Sequence, residues 1–460
     1  MSENKRAVRS GTMITDLTSG SVIRQLLAFA MPLFVANALQ AVYNLVDMVV
    51  VGQVVGGAGM SAVSIGGDVL HLLTFLAMGF SSAGQVIIAQ YVGAKQNDHI
   101  RRLIGTMFTF LLGVSILISV LCTVIRHPIL NWLNTPAESY GYTMDYMMTC
   151  VAGLPFIYGY NIVSAILRGM GDSKRPFLFI AIAAVLNTVL DILFVGFFGM
   201  AAFGAALATV IGQAVSFIIS LVYLYKHKES FGFDFRPESF RIDVQILKPL
   251  LSLGIPMAIQ SAAVSFSKVI LMAWINQEGV VYSALSGIYN KMGMMMGIVS
   301  NSFTTAGSSM VGQNLGAGRF DRIPRILGVV LGIGLTISAG VSALVLLFPR
   351  EVCEIFTSDA AVLAEYSLII VPVVLNFVGA ATRSGAFAII NGSGNSRLNL
   401  LVAVIDGMIG RIGLAFLLGF VFSMGSQGFW YGDALAGFMP IMIGSVFYLS
   451  GKWKRQIYKQ

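Results

Sequence analysis

Two aspartates lie deep inside long apolar runs of this sequence. Asp47 closes the segment Tyr43-Asn44-Leu-Val-Asp47, and Asp191 follows Asn187 by four residues in another run. Residues four apart project from the same side of a helix, so Asn187 and Asp191 can offer a carbonyl and a carboxylate to one ion. A carboxylate held away from water can bind H⁺ or a metal cation and release it again. We therefore take Asp47 and Asp191 as candidates for reversible cation binding.

Further charged side chains lie within apolar runs, where each costs roughly 2.5 to 3.5 kcal/mol at mid-membrane. The first half adds Asp68, and the second half carries Lys268, Lys291, Arg383, Asp406 and Arg411. An alternative for each is an interhelical ion pair or a long side chain that reaches the membrane surface. The candidates for a substrate cleft or gate are Tyr43, Asn44, Asp68, Lys268, Lys291 and Met295.

The composition requires these residues to be carried on membrane helices. Of the 460 residues, 56% are hydrophobic and only 11% are charged, whereas soluble domains have roughly 25% charged residues. A span needs roughly 20 apolar residues. About twelve such runs occur, at 26-52, 58-90, 103-125, 140-167, 177-198, 200-225, 249-275, 283-314, 326-348, 362-390, 398-421 and 428-451. We expect an all-α, polytopic membrane protein.

The distribution of positive charge predicts the topology. Most of the 29 Lys and Arg residues lie in the two ends of the chain and in alternate loops, namely around residues 95-102, 174-175, 226-248 and 319-325. Loops rich in Lys and Arg stay in the cytoplasm. Both ends, which include Lys5, Arg6, Arg9 and Arg455, are therefore expected to be cytoplasmic, and the first helix is expected to be retained because no signal-peptide pattern precedes it.

Several common chemistries lack their sequence signals. The chain has no phosphate-binding loop of the GxxxxGK[ST] type, no HExxH pair and no complete dinucleotide motif. Cys122, Cys150 and Cys353 are too far apart in the sequence for a metal motif and are interpreted as packing residues. We expect no enzymatic activity and no cofactor, with the energy for any transport drawn from a gradient of H⁺ or Na⁺.

The chain contains a direct repeat with an offset of 223 residues. Ser81-Ser-Ala-Gly84 through Gln90, Gly93 and Ala94 returns as Thr304-Thr-Ala-Gly307 through Gln313, Gly316 and Ala317. Arg168-Gly-Met-Gly-Asp-Ser-Lys174 likewise returns as Asn391-Gly-Ser-Gly-Asn-Ser-Arg397. The sequence therefore predicts six helices in residues 1-225, a cytoplasmic linker at 226-248, six helices in 249-460, and a pseudo-two-fold along the membrane normal that relates the two lobes.

The charged residues do not follow the repeat. The counterpart of Asp68 is Lys291, that of Asn44 is Lys268, and the counterparts of Asp47 and Asp191 are leucines. A repeat that served only to build two similar helix bundles would not require different charges in the two halves. Pro32 interrupts the backbone ladder of the first helix before Asp47 and is a candidate hinge, although an ordinary proline kink remains an equal alternative.

These motifs together resemble those of the multidrug and toxic compound extrusion (MATE) family, with the prokaryotic DinF-like branch the most similar. The motifs are Pro32 with Tyr43-Asn-Leu-Val-Asp47, Arg168-Gly-x-Gly-Asp-Ser-Lys-x-Pro176 and Asn187-x-x-x-Asp191. The resemblance implies a cation site of Asp47, Asn187, Asp191 and Thr209, with Na⁺ as the only metal envisaged there, and a bend at Pro32. This sequence departs from the pattern of other branches at Lys268, where many members have an acidic residue.

The resemblance implies exchange of H⁺ or Na⁺ for drugs by alternating access. Expected partners are small amphipathic, mainly cationic organic molecules and the lipid bilayer, with no nucleic acid and no obligate protein partner. The expected location is the cytoplasmic membrane of a prokaryote. A lipid or lipid-linked oligosaccharide flippase of the same superfamily is the first alternative. A channel or a membrane-embedded enzyme is the second.

Overall fold

A computed structural model describes residues 14-454, and within that range the chain is helical with no β-strand. Lys5, Arg6, Arg9 and Arg455, which contributed to the predicted topology, lie outside the described residues. The long helices are α1 (Val22–Val55), α2 (Gly57–Gly93), α3 (Asn97–Val124), α4 (Ala137–Ala152), α5 (Leu154–Gly169), α6 (Lys174–Phe197), α7 (Ala201–Lys226), α8 (Val244–Asn276), α9 (Val280–Gly316), α10 (Phe320–Leu347), α11 (Ser367–Gly392), α12 (Ser396–Val421) and α13 (Gly425–Leu449).

These helices confirm the predicted polytopic all-α class. In the described residues ten helices are long and apolar enough to cross a bilayer, and α4 with α5 makes an eleventh if this pair, bent by 47°, is one span. The remaining predicted run, 283-314, lies in α9, which has 37 residues but is less apolar than the others. Each predicted run thus coincides with a helix or a helix pair, and α9 is the most polar of them.

The repeat is visible in helix length and in packing. Helices α2 and α9 have 37 residues each, and α3 and α10 have 28 each. A Cβ on Gly169 would lie 2.7 Å from the Gln85 carbonyl oxygen, and one on Gly392 would lie 2.9 Å from that of Ser308, the repeat counterpart of Gln85. The same close helix contact is therefore built twice, and glycine is required at both positions.

The described chain forms two compact units by its internal contacts. Unit 1 comprises residues up to Ser19 together with Val35–Leu251, and unit 2 comprises Gly20–Phe34 and Ser252 onward. The core of unit 1 includes Val51, Ala62, Tyr146 and Val195, and that of unit 2 is centred on side chains of α8, α9, α11 and α13. The change of unit within α1 falls between Phe34 and Val35, shortly after Pro32.

The segment that joins the two sequence halves is ordered in unit 1. Residues 232-243, which we call the strap, lie against the first turns of α3. Phe233 is fully buried and stacks edge-to-face on Phe240, which also contacts Phe108 of α3. Thr109 donates a hydrogen bond to the Phe240 carbonyl. The polar linker expected from the sequence is thus a docked strap with an aromatic core.

Candidate functional site

The structure brings Asp47, Asn187, Asp191 and Thr209 together inside unit 1. The Thr209 hydroxyl donates to the Asp47 carboxylate at 3.2 Å. With the Asn187 amide nitrogen turned toward Asp47, the N–Oδ1 distance is 3.0 Å and the amide oxygen accepts from the Thr209 backbone N–H at 3.2 Å. All four side chains are at least 90% buried. The positions that the family resemblance gave are therefore one cluster in space.

Three helices supply this cluster. Helix α1 carries Asp47, α6 carries Asn187 and Asp191 one turn apart, and α7 carries Thr209. A π-helical segment, Ile192–Phe197, begins directly after Asp191. Such widened turns are rare, occur often at functional sites and leave carbonyl groups less regularly bonded. The cluster is thus placed where the α6 backbone departs from α-helical geometry.

The Asp191 carboxylate has unused binding capacity. Both of its oxygens are buried, and neither accepts a hydrogen bond from any residue that the structure describes. The Asp47 carboxyl group is its acidic neighbour in the cluster. Two carboxylates in such a position cannot both be ionised without a cation between them, because their charges repel at low dielectric. The pair therefore requires a proton or a metal cation.

A small cavity of about 10 Å³ adjoins the cluster. It is lined by Tyr43, Ala183, Asn187, Thr209, Gly212 and Gln213. A water-sized occupant needs roughly 10 to 15 Å³. The space is thus of the order of one water or one small ion, and its polar lining consists of hydroxyl and amide groups.

The ligands around this cavity determine which cations fit. The described residues contain no group of three or more His, Cys, Asp or Glu side chains arranged to hold a metal. The cluster offers carboxylate, hydroxyl and amide oxygens, which are hard donors that suit H⁺ or Na⁺ and not a thiolate-binding metal.

The other predicted site residues lie outside this cluster and differ in their exposure. Tyr43 is buried and lines the cavity, whereas Asn44 and Asp68 are exposed. In unit 2, Lys291 and Met295 are exposed on α9. Pro32 lies within the continuous helix α1. Of the unit 1 candidates for a cleft or gate, Tyr43 lines the cavity at the cluster.

Lys268 belongs to a separate charged network inside unit 2. Arg411 forms ion pairs with Asp433 and, at 3.1 Å, with Asp406. Arg383 contacts Asp406 at 3.1 Å. Lys268 lies within electrostatic range of all four. Asp433 was not among the residues predicted from the sequence, although an aspartate inside the last apolar run was an available signal.

Two neutral side chains complete this network. The Tyr289 hydroxyl donates to Asp433 at 2.6 Å, and Asn376 donates to the Tyr289 oxygen at 3.1 Å. Neither was predicted as part of a polar site. The interhelical ion pairs left open as an alternative for Arg383, Asp406 and Arg411 are thus formed in the structure.

The helices and the repeat define a multi-pass membrane protein of two repeated halves, with a buried cluster that contains two carboxylates in the first. The MatE family model matches residues 32–193 and again 256–417. The chain therefore belongs to the MatE family of membrane transporters.

Individual relatives agree with this assignment. The chain is 31% identical over 346 residues, 74% of each chain, to the probable multidrug resistance protein YoeA of Bacillus subtilis. It is 27% identical to the probable multidrug resistance protein YpnP of the same organism, covering 95% of this chain and 97% of the relative. The crystal structure of MATE in the bent conformation matches with a TM-score of 0.87 and 21% identity, covering 96% of this chain and 98% of that chain.

Proposed function

We propose that this protein exports amphipathic organic cations from a prokaryotic cell in exchange for H⁺ or Na⁺, by alternating access. The observation that carries the proposal is the buried pair Asp47–Asp191, in which both Asp191 oxygens lack a partner among the described residues. Asn187 and Thr209 of the same cluster line a cavity of ion size. Such a pair binds one cation and must release it before it can bind another. Antiport requires a site that binds and releases one ion in each transport cycle. The names of the two Bacillus subtilis relatives favour drug export over the lipid-flippase alternative.

The proposed cation site comprises Asp47, Asn187, Asp191 and Thr209. Asp47 and Asp191 supply the charge, while Thr209 and Asn187 hold the Asp47 carboxylate by hydrogen bonds. Hydrogen bonds to a charged group contribute roughly 1.5 to 3 kcal/mol each. These two neutral residues therefore tune the affinity for the ion without supplying the charge that exchanges.

The orientation belongs to the same proposal. Both chain ends and the strap face the cytoplasm, as the excess of Lys and Arg in these segments favours. Substrate then enters from the cytoplasmic side, and the ion gradient that drives export is directed inward.

Transport by the purified protein in liposomes tests the function and identifies the ion. Ethidium movement is followed by fluorescence while a pH gradient or a Na⁺ gradient is imposed separately, with the membrane potential clamped by K⁺ and valinomycin. The proposal predicts accumulation of ethidium against its gradient under at least one of the two. If ethidium only equilibrates under both gradients, ion-coupled export is contradicted.

A further inference from the structure

The side chain of Gln213 has a buried oxygen that the hydrogen bonds of the unit 1 cluster do not use. Gln213 is 8% exposed, and its Oε1 atom accepts no hydrogen bond from any residue that the structure describes. The amide also interacts with the Tyr43 hydroxyl, and this interaction leaves Oε1 without a donor. A buried carbonyl that lacks a partner costs roughly 1 to 3 kcal/mol, so a polar group in this position calls for a water or an ion.

Gln213 and the unit 1 cluster share the small cavity of about 10 Å³. Thr209 and Gln213 are four residues apart on α7, so they project from the same side of the helix, and both line this space. The Thr209 hydroxyl also donates to the Asp47 carboxylate at 3.2 Å. An occupant of the cavity therefore meets neutral oxygen atoms, and a carboxylate lies one hydroxyl group away.

The donors of the cavity fit a metal cation better than a proton. A proton shared by two carboxylates is held by those two groups and needs no further oxygen. A hard metal cation takes several oxygen ligands at once, and these include neutral carbonyl oxygens. The Gln213 oxygen can therefore contribute to the binding of Na⁺, whereas a proton at the carboxylate pair has no use for it.

Gly212 preserves the space beside Gln213. A Cβ at this position would lie 3.2 Å from the Ala183 carbonyl oxygen and 3.5 Å from the Asn187 Cβ. Ala183 and Asn187 line the same cavity. A methyl group on Gly212 would therefore narrow the cavity between α6 and α7, which gives a second way to change it without touching an oxygen ligand.

We propose that Gln213 is a ligand of the coupling ion and that its side-chain oxygen allows this cavity to bind Na⁺. The inference rests on the proposed exchange function and specifies the ion that this function uses. Asp47 and Asp191 supply the negative charge of the site. Thr209 and Gln213 supply neutral oxygens on the side of the cavity.

Binding of radioactive Na⁺ to the purified full-length protein, measured by scintillation proximity, tests this proposal. The wild type should bind Na⁺ saturably, and unlabelled NaCl should displace it whereas choline chloride should not. Gln213→Leu removes the oxygen and keeps an apolar side chain of similar size. Because one hydrogen-bond-like contact to a charged group is lost, the dissociation constant for Na⁺ is expected to rise by about tenfold or more.

Two further variants separate the cavity from the rest of α7. Ser216→Ala removes another buried hydroxyl of the same helix that has no partner among the described residues, but Ser216 lies outside the cavity lining. Its affinity for Na⁺ should therefore match that of the wild type. Gly212→Ala narrows the cavity and should weaken Na⁺ binding as Gln213→Leu does.

Equal affinity of the wild-type and Gln213→Leu proteins for Na⁺ would overturn the proposal, because Oε1 would then contact a water only. Gln213→Asn withdraws the oxygen by one methylene and repeats this comparison if Gln213→Leu fails to fold. A wild type that binds no Na⁺ would overturn the proposal without any variant. Accumulation of ethidium driven by a pH gradient would in that case leave the proposed export function standing with H⁺ as its ion, so the two can fail separately.

Discussion

At the scale of single residues, Asp47 and Asp191 differ in how their buried carboxylates are hydrogen-bonded. Asp47 is held by Thr209 and Asn187, whereas both oxygens of Asp191 lack a partner among the described residues. One carboxylate is therefore fixed in position and the other is open to a ligand. A cation that enters contacts the Asp47 carboxylate, which is already held in place, and the Asp191 carboxylate, which the ion itself stabilises.

The Thr209 hydroxyl gives the first prediction. Thr209→Val keeps the shape but removes the donor to Asp47, so the concentration of the coupling ion for half-maximal transport is expected to rise by roughly tenfold, the equivalent of about 1.4 kcal/mol. Thr209→Ser keeps the hydroxyl and should behave as wild type within about threefold. Initial ethidium export rates over a range of ion concentrations provide the measurement. Equal half-maximal concentrations for the Thr209→Val and wild-type proteins would exclude this role.

The polar residues of the unit 1 cluster could be predicted from the sequence, whereas several members of the unit 2 network could not. Asp47 and Asp191 lie inside predicted runs, and the family resemblance placed both at one site. Asp433 also lies inside a predicted run, but only the fold shows that it meets Arg411. Asn376 and Tyr289 are neutral, and only three-dimensional packing shows that they join the network.

At the scale of elements, the strap is the feature that the sequence did not reveal. Its polar composition predicted a loop, but its position depends on Phe233 and Phe240 packing and on Arg101, which contacts Asp234 at 2.9 Å. The backbone of Ser239 approaches Gly105 of α3 so closely that a Cβ there would collide with the carbonyl oxygen. The repeat counterpart, Gly328 of α10, faces open space.

The two glycines form a matched pair of variants. Gly105→Ala is expected to displace the strap and to increase trypsin cleavage after Arg236 and Arg241 several-fold, because the added methyl group occupies the site of the Ser239 carbonyl. Gly328→Ala should leave cleavage unchanged and, as an Ala in an open helix position, stabilise α10 by about 0.5 to 1 kcal/mol. Peptide mapping after limited digestion measures the cleavage in both variants. Equal cleavage in the two variants would show that the strap does not depend on this contact.

Acid should release the strap. The hydrogen bond from Ser239 and the ion pair with Arg101 lower the pKa of Asp234. Burial alone would raise the pKa of Asp243, but Arg102 and backbone N–H groups outweigh it and the pKa is lowered. A lowered pKa means that the ionised form stabilises docking fully above pH of about 4, and that this stabilisation is lost as the pH falls below that value.

A probe on the exposed Glu238 measures this release. Anisotropy of a fluorophore attached through Glu238→Cys should be constant from pH 8 to about pH 5 and should fall below about pH 4. The same fluorophore attached through Asp321→Cys, at an exposed position in the first turn of α10, reports any general loss of structure. A decrease centred near pH 6.5 would assign the release to a histidine and contradict the account.

At the scale of the whole molecule, two halves with matching helices carry different polar groups. Equal lengths of α2 and α9 and of α3 and α10 show one scaffold used twice. The first half has a pair of carboxylates, and the second has a network of ion pairs between arginines and aspartates. The repeat was readable from the sequence because glycine positions and helix ends follow it. The different charged residues of the two halves were visible in the sequence, but the ion pairs of Arg411 depend on the fold and could not be predicted.

The topology can be tested by labelling single cysteines in a background without Cys122, Cys150 and Cys353. Cysteines introduced at Asp98, Arg236 and Asp321 should react with a membrane-impermeant maleimide only in inverted vesicles, because the nearby Lys and Arg residues keep these segments in the cytoplasm. A cysteine at Gln277 should react in intact cells. Labelling of Gln277→Cys from the cytoplasmic side would contradict six spans in each half.

The most direct test of the account is gradient-driven ethidium transport by Asp47→Asn and Asp191→Asn proteins in liposomes. Each change keeps the size and removes the exchangeable charge, so accumulation against the gradient should fall to background while ethidium binding persists through apolar and aromatic contacts. Asp98→Asn, which neutralises an exposed carboxylate at the start of α3, should accumulate ethidium as wild type does. Full accumulation by both the Asp47→Asn and Asp191→Asn proteins would contradict a coupling site at this pair.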